Sequence, residues 1–280
     1  MSRTAPRPNG DNRFHVDDRH SRHLLSVDVE DWQQSTLDRS LPVTERVVRN
    51  TEALLELFDD TGARGTFFVL GLVAERFPTL VADIARAGHE VASHGYGHVP
   101  VGLMSQTEFA ADLERAIKTT EDAGGVRVTG YRAPDFSVTR RTLWAYDEIA
   151  ASGLIYDSSV VPAWNPRYGI PGTPRTPYRV NALWEVPVGT FGFGAIRFPL
   201  GGGYLRLCPL GLLRRELSGA GSQVLYVHPY ELDPDEMNSN RQSVSFRMRL
   251  TQGLGRSSTR RKLEELLNAF AWAPLNTVVK

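Results

Sequence analysis

The sequence has almost no cysteine, with Cys208 as the single one among 280 residues. An intramolecular disulfide is therefore excluded, and so are zinc sites built from several thiolates of one chain. Cys208 lies in an apolar run before a proline, where a free thiol packs as a small hydrophobic group. Any metal site in this chain is therefore expected to use histidine and carboxylate ligands.

The chain also lacks net charge, because 32 Lys and Arg residues balance 32 Asp and Glu residues. This balance argues against binding to nucleic acid or to an anionic membrane by bulk electrostatic attraction. No apolar run approaches the roughly 18 residues that a membrane span needs. Nucleic acid is therefore not an expected partner, and no membrane span is expected.

The first residues, 1–22, lack the apolar core of a secretory signal peptide and are predicted to form a disordered tail of a cytoplasmic chain. Residues 23–280 have the size of one large domain with a C-terminal helical extension. The last predicted helix, Ser258–Phe270, lies beside a basic cluster at Arg256, Arg260, Arg261 and Lys262. We interpret this cluster as a solvated face, with an anionic partner as the alternative.

The sequence does contain a regular alternation of apolar runs and amphipathic segments. Leu24–Val27 and Gly65–Leu70 predict buried strands, and Thr44–Asp60 has apolar residues at the helical period. Further strands are predicted at Val128–Arg132 and Gln223–Val227. The connections between these predicted strands are too long for hairpins, which indicates that the strands are parallel. The pattern predicts an α/β fold.

The segment Gly88–Pro100 carries two histidines, His94 and His98, around Gly95 and Gly97. Two imidazoles at i and i+4 can bind one metal ion if the backbone makes a helical turn or a tight loop. Glycine allows such a sharp turn. The alternative interpretation is a pair of surface histidines in a glycine-rich loop.

Polar side chains follow the other predicted strands at the points where they end: Asp28, Glu30, Arg132, Asp157 and His228. Chemistry in parallel α/β folds gathers at the carboxyl ends of the strands. We therefore expect these side chains to lie near the two histidines. Each also has a structural interpretation, as a loop cap, an ion pair or a core histidine, and Asp157 before a serine fits a cap and a site equally.

The glycine run Gly201–Gly203 is not expected to bind a nucleotide. It lacks the Lys-Ser/Thr of a P-loop and the strand–helix context of a dinucleotide fingerprint. A turn, or a close approach to substrate, is the prediction for this segment.

Together these residues predict a hydrolytic metal site. Two neutral histidines and one carboxylate leave open positions on a divalent ion for water and substrate. A second carboxylate can take the proton of the water, and a histidine on the far side can protonate the leaving group. An arginine such as Arg132 would hold the base carboxylate in its ionised form.

Six motifs, in order, resemble those of the polysaccharide deacetylases (carbohydrate esterase family 4, NodB homology domain): Ser26–Trp32, Thr66–Gly71, Ser93–His98, Gly130–Ser137, Tyr156–Ser159 and Leu225–Pro229. The run HPYELDP, with a basic helix behind it, is similar to the branch found beside bacterial exopolysaccharide and exosortase gene sets. The resemblance implies a deformed (β/α) barrel of the NodB-homology type with fewer than eight regular strands. It also implies metal-dependent removal of an acetyl group from an N-acetylated amino sugar in a polysaccharide or its precursor.

The resemblance also implies a role for each matching residue: Asp28 as general base, His94 and His98 as metal ligands, Arg132 as support of the base, His228 as general acid, and the backbone N–H of Tyr131 facing the oxyanion. The ion it implies is divalent, with zinc expected and cobalt, nickel or manganese as alternatives.

The first motif departs from the family pattern. Most members have two adjacent aspartates, of which the second binds metal, and Val29 stands in that place here. On an extended chain Glu30 shares a face with Asp28, so Glu30 is the expected ligand. Asp31 is the alternative ligand if the strand turns early.

Two other functions stay open at this point. One is an allantoinase-like hydrolase of a small cyclic amide, which ring opening rather than acetate release would reveal. The other is a catalytically inactive carbohydrate-binding protein, which metal analysis would favour if no divalent ion were bound.

Overall fold

The structure is a computed structural model that describes residues 22–194, 196–219, 221–239 and 244–279. Within these residues its main sheet consists of nine strands: β1 (His23–Val29), β2 (Thr66–Val69), β3 (Glu90–Ser93), β4 (Gly130–Tyr131), β5 (Tyr156–Asp157), β6 (Tyr178–Val180), β7 (Leu183–Glu185), β10 (Val224–Val227) and β11 (Trp272–Ala273). A separate antiparallel hairpin contains β8 (Thr190–Phe193) and β9 (Ile196–Pro199).

The strands of the main sheet follow the order β10-β1-β2-β3-β4-β5-β7-β6. Every neighbouring pair from β10 to β7 in this order is parallel. The last pair, β7 with β6, is antiparallel. The short strand β11 pairs with the start of β1, at His23 and Leu24. This curled, largely parallel sheet confirms the prediction of an α/β fold of the deformed-barrel type. Its continuous parallel path has fewer strands than the eight of a complete barrel.

Ten α-helices lie in the described ranges: α1 (Arg46–Asp60), α2 (Gly71–Arg76), α3 (Pro78–Arg86), α4 (Gln106–Gly124), α5 (Ala145–Ala151), α6 (Gly202–Leu207), α7 (Leu210–Gly219), α8 (Glu236–Ser239), α9 (Phe246–Gly253) and α10 (Arg256–Ala269). A capping box begins α4, since Ser105 Oγ accepts from the Glu108 N–H and the Glu108 carboxylate accepts from the Ser105 N–H. Among these described residues, none of the helices is both long and apolar enough to cross a membrane.

Strand β1 is buried on both faces, and its side chains alternate between these two faces along the strand. Leu25, Val27 and Val29 belong to the larger apolar cluster, which also holds apolar residues of α1 and α3. Side chains of a strand alternate between the two faces of the sheet, so Ser26 and Asp28 share the opposite face. The acidic residue therefore points into the barrel interior rather than toward the helices.

Local hydrogen bonds shorten two of the predicted elements. The strand expected at Val128–Arg132 is regular over only two residues in β4. The residues 139–152 have a pattern that favours a longer helix, but α5 begins only at Ala145, after a turn in which Thr142 Oγ1 accepts from the Thr139 N–H at 2.8 Å and donates to the Ser137 carbonyl at 2.8 Å. Helices α2, α6, α8 and α9 were not predicted, since each is short and lacks a long apolar period.

The predicted tail lies outside the described residues as far as residue 21. Strand β1 from the start of the described chain pairs with β10 and β11 from its last quarter. This pairing supports one domain over residues 23–280, and that boundary stays a prediction.

Candidate active site

Four of the predicted site residues lie at the carboxyl ends of strands of the sheet. Asp28 is near the end of β1, His94 follows β3, Arg132 follows β4 and His228 follows β10. The parallel order brings these ends to one edge, where they surround a cavity of about 480 Å³. Asp28, His94 and His228 line that cavity, whereas Arg132 is fully buried behind it.

Glu30, His94 and His98 form a cluster that can hold a metal ion, with ligand atoms all within 4.8 Å of one another. Glu30 Oε2 lies 2.6 Å from His98 Nε2 and 4.0 Å from His94 Nε2. A tetrahedral zinc ion with bonds of about 2.0–2.1 Å holds its ligand atoms roughly 3.3 Å apart, and the two separations bracket that distance. Glu30 Oε2 is buried and has no hydrogen bond of regular geometry among the described residues. This oxygen is therefore available, together with the two histidine Nε2 atoms, to bind a metal ion.

A tight loop, rather than a helical turn, brings the two histidines together. Gly95 has a φ of +76° and His98 a φ of +59°, which are left-handed values that glycine tolerates best. The Tyr96 N–H donates to Asp112 Oδ2 at 3.0 Å and holds the loop. His94 Nδ1 lies 2.9 Å from the carbonyl oxygen of Arg132, so it donates there and leaves Nε2 facing Glu30.

Arg132 fixes the carboxylate of Asp28. Its Nη1 donates to Asp28 Oδ1 at 2.7 Å and to Ser26 Oγ at 2.8 Å. Its Nε and Nη2 donate to the carbonyl and the hydroxyl of Ser158 at 3.0 and 2.9 Å, and its guanidinium carbon lies 4.2 Å from the centre of the Phe68 ring. Every part of the guanidinium is therefore held, and Asp28 Oδ2 is left to face the cavity.

His228 stands on the opposite side of the cavity. Its Nε2 lies 3.2 Å from Glu30 Oε1 and 3.9 Å from Asp28 Oδ2. Its Nδ1 lies 3.3 Å from Glu231 Oε2, and Glu231 in turn pairs with Arg206 Nε at 3.3 Å. The ring of His228 is thus held by its own following turn rather than by a distant strand.

Burial and opposite charge set the protonation of these groups. Burial alone would raise the pKa of Glu30, but the facing imidazoles of His98, His228 and His94 lower it to about 2. Burial lowers the pKa of His94, which keeps this imidazole neutral as a ligand must be. Burial would also lower the pKa of His228, but the hydrogen bond with Glu231 and the nearby carboxylates raise it to about 9. These neighbours therefore favour the protonated form of His228.

The structure does not bring Asp31 to the histidines. Its carboxylate accepts hydrogen bonds from the Gln33 N–H at 3.0 Å, from the Thr44 N–H at 2.8 Å and from the Thr44 hydroxyl. These contacts turn the side chain away from the cavity and tie the end of β1 to the start of α1. The alternative that Asp31 binds the metal is therefore contradicted, and Asp31 has a structural part.

The structure also contradicts the prediction for the backbone of Tyr131. This residue pairs in register with Ser93 of β3 and Asp157 of β5, and its carbonyl accepts from the Ser158 N–H at 2.9 Å. The N–H and C=O of one extended residue point the same way, so the Tyr131 N–H faces β5 inside the sheet. It does not reach the cavity.

Asp157 lies in the sheet interior and not at the cavity. Its carboxylate accepts from the Ser159 hydroxyl at 2.6 Å and from the Ser159 N–H at 3.2 Å. It also shares a hydrogen bond with Glu185, its partner in register on β7. The two residues form a buried carboxyl pair that joins β5 to β7.

Several cavity residues escaped prediction from sequence. Tyr204, Thr251 and Gln252 come from the second half of the chain and reach the cavity only through tertiary packing. Asp135 lies in the motif Gly130–Ser137 and has a φ of +56°. Burial lowers the pKa of His98, but Glu30 and then Asp135 raise it above its usual value. The position of Asp135 three residues after Arg132 was a signal that the sequence did offer.

Two family models match the chain. Residues 36–152 match the model described as polysaccharide deacetylase, and residues 158–280 match a domain of unknown function (DUF3473). His94, His98 and Arg132 fall in the first match, His228 falls in the second, and Glu30 precedes both. The candidate site therefore combines residues of both matched ranges with a residue that precedes them.

Curated relatives match a part of the chain. A peptidoglycan-N-acetylglucosamine deacetylase of Bacillus cereus is 35% identical over 86 residues, which are 31% of this chain and 29% of that protein. A peptidoglycan deacetylase of Helicobacter pylori is 31% identical over 109 residues, or 39% of this chain and 36% of that protein. The chain therefore spans about a third of the length of these relatives.

Solved structures share the fold at low sequence identity. A Mycobacterium smegmatis protein assigned as a polysaccharide deacetylase has a TM-score of 0.63 and 22% identity, covering 98% of this chain and 93% of that chain. A carbohydrate esterase family 4 pseudoenzyme from Bacillus anthracis has a TM-score of 0.53 and 12% identity, covering 94% and 66%. At identities this low, the similarity shows only that the fold is shared. One of the two proteins with this fold is described as a pseudoenzyme.

Proposed function

We propose that the chain is a metal-dependent deacetylase of an N-acetylated amino sugar, because residues 36–152 match the polysaccharide deacetylase model. The observation that carries the proposal is the convergence of Glu30, His94 and His98 beside a held carboxylate and a protonated histidine. This is the set of groups that amide hydrolysis with an activated water requires.

Glu30, His94 and His98 would hold the ion, for which we propose zinc because the donor set is two imidazoles and one carboxylate. Such an ion supplies Lewis-acid chemistry, lowering the pKa of water and polarising a carbonyl group. The hydrogen bond from His94 Nδ1 to the Arg132 carbonyl orients that ligand before any ion arrives.

Asp28 would act as the general base. Its Oδ1 is taken by Arg132, so Oδ2 is the oxygen that accepts the proton of the attacking water. The charge-assisted hydrogen bond at 2.7 Å from the buried guanidinium fixes the direction of this carboxylate. Arg132 positions the base and does not itself touch the substrate.

His228 would act as the general acid. It carries a proton at neutral pH, and its Nε2 faces the two carboxylates across the cavity. As the bond between the amide nitrogen and the acetyl carbon breaks, His228 gives that proton to the nitrogen. The products are acetate and the free amine of the sugar.

We propose an N-acetylglucosamine-containing glycan as the substrate. The names of the Bacillus cereus and Helicobacter pylori relatives point to peptidoglycan-type sugars, and Tyr168, Tyr204 and Tyr226 offer aromatic faces to a sugar ring in the cavity wall. The finer assignment to exopolysaccharide biosynthesis rests on the sequence resemblance. The cytoplasmic location stays a prediction.

The test is acetate release from N-acetylglucosamine oligomers by purified protein. Activity should disappear with a chelator and return with zinc. Asp28→Asn should abolish turnover while the metal content stays at the wild-type value, whereas His94→Ala should lose the metal as well. Wild-type rates in Asp28→Asn would contradict the base assignment.

Two further measurements separate the rival functions. Ring opening of a cyclic ureide without acetate release would favour a cyclic amide hydrolase. A protein that binds the oligomers but takes up no divalent ion would be a binding protein on this fold.

A further inference from the structure

We propose that an apolar and basic surface beside the cavity docks this protein on an anionic lipid bilayer. The first part of this surface is helix α9, which has no buried residue. Phe246, Leu250 and Leu254 follow one another at the helical period and are 74%, 52% and 51% exposed. We call these three residues the α9 ridge.

The second part is the β8–β9 hairpin. Phe193 pairs with Ile196 across the hairpin, and Phe191 pairs with Phe198, so all four share one face. Phe191 is buried against the core, whereas Phe193, Ile196 and Phe198 are exposed. We call these three exposed residues the hairpin ridge.

Both ridges meet helix α6, which forms one wall of the cavity. The Tyr204 ring lies 5.5 Å from the Phe198 ring, which joins the hairpin ridge to this wall. Arg206 Nη1 donates to the carbonyl of Leu254 at 3.1 Å, which joins the α9 ridge to it. Between these contacts Leu207 is exposed and lines the cavity. The apolar surface therefore borders the opening of the candidate active site.

The sequence that contains the α9 ridge is basic although the chain is neutral overall. Residues 237–263 contain seven basic residues and no acidic residue. Arg256 and Lys262 are used inside the fold, since they donate to backbone carbonyls. Arg247 and Arg260 are exposed and form no ion pair with any other described residue. Charges of this kind attract an anionic surface over about a Debye length.

This combination fits a bilayer better than the other anionic partners. An acidic polysaccharide would contact the arginines but would gain little from the exposed aliphatic side chains of Leu250, Leu254 and Ile196. Exposed aromatic and aliphatic residues with arginine beside them are the pattern of interfacial anchors, and the Arg215 guanidinium carbon lies 5.6 Å from the centre of the Phe193 ring. The bulk neutrality of the chain limits attraction to this one face.

Docking would place the cavity opening at the membrane surface. If the proposed deacetylase function holds, the sugar of a lipid-linked glycan could then reach the site while its lipid stays in the bilayer. The docking itself does not depend on catalysis, so the two proposals fail separately.

The experiment is vesicle sedimentation of the full chain with phosphatidylcholine vesicles that contain or lack one quarter phosphatidylglycerol. The protein should sediment with the anionic vesicles, bind the neutral ones weakly and be released by high salt. Phe246→Ser with Leu250→Ser should weaken binding by at least about tenfold, because both side chains lose their apolar burial in the bilayer. Asp28→Asn should bind like the wild type.

Leu103→Ser is the matched control, because Leu103 is 66% exposed and lies outside both ridges and the cavity wall. Unchanged vesicle binding by the Phe246/Leu250 variant would overturn the proposal, and so would equal binding to neutral vesicles. Binding to polygalacturonate that needs Arg247 and Arg260 but not Phe246 would also overturn it, in favour of an acidic glycan. The proposal would also be overturned if the wild type were a dimer and the Phe246/Leu250 variant a monomer, because the α9 ridge would then contact a second copy of the chain.

Discussion

Replacement of Glu30 should lower only the zinc-dependent stability and replacement of Asp31 only the metal-free stability, because the two neighbouring carboxylates make different contacts. Glu30 Oε2 converges with the two histidines, whereas Asp31 accepts three hydrogen bonds from Gln33 and Thr44. Glu30→Gln should therefore remove the stabilisation that zinc provides. Asp31→Asn should leave that stabilisation intact and lower the stability of the metal-free protein.

The magnitudes follow from binding linkage and hydrogen bonding. A ligand at 100 times its Kd stabilises the folded state by about 2.7 kcal/mol, which is roughly 5–10 °C in Tm for a chain of this size. Glu30→Gln should reduce this zinc-dependent shift to near zero. In Asp31→Asn an amide group faces an N–H donor, so the metal-free protein should lose about 1–3 kcal/mol.

The assay is thermal unfolding of chelator-treated protein followed by zinc titration, with metal content measured in parallel. Thr44→Val is the matched control for Asp31, since it removes one donor to that carboxylate and should lower the metal-free Tm without affecting the zinc shift. A normal zinc shift in Glu30→Gln, together with its loss in Asp31→Asn, would refute the assignment of the ligand.

Three further predictions concern the neighbouring charges. Glu231→Gln removes the partner that raises the pKa of His228 to about 9, so the fall of kcat/KM at high pH should move to lower pH; an unchanged profile would speak against His228 as the acid. Arg132→Lys cannot make the four hydrogen bonds of the guanidinium and should cost about 3–5 kcal/mol in urea unfolding, with kcat reduced; wild-type stability would show that Asp28 is held otherwise. Burial, and then the charge of its partner carboxylate, raise the pKa of Glu185 well above 4.5, so the folded state keeps a proton that the unfolded state loses. Stability should therefore fall as pH rises above about 4.5, and Glu185→Gln should flatten that fall.

Periodicity and composition alone were enough to place most of the site on strand ends. Apolar runs predicted the strands that end at Asp28 and His228, and the parallel order followed from the length of the connections. The single cysteine limited the ligands to histidine and carboxylate. These are local properties, which a sequence displays directly.

Other features depended on residues that are far apart in sequence. The same-face argument favoured Glu30, but Thr44, thirteen positions after Asp31, is what turns that carboxylate away. The Tyr131 N–H was misassigned because its direction is fixed by pairing with β5. The structural role of Asp157 depends on its pairing with Glu185 of β7, which is 28 positions later in the sequence.

By itself the sequence determined the fold class, the side-chain types of the candidate site and the strand ends that carry them, because side-chain type and period are encoded residue by residue. The tertiary structure decided which carboxylate meets the histidines and which residues wall the cavity. Those outcomes depend on pairings such as His228 with Glu30, 198 positions apart, and on helices α6 and α9, which have no strong local pattern. Long-range packing selects among the alternatives that local chemistry allows.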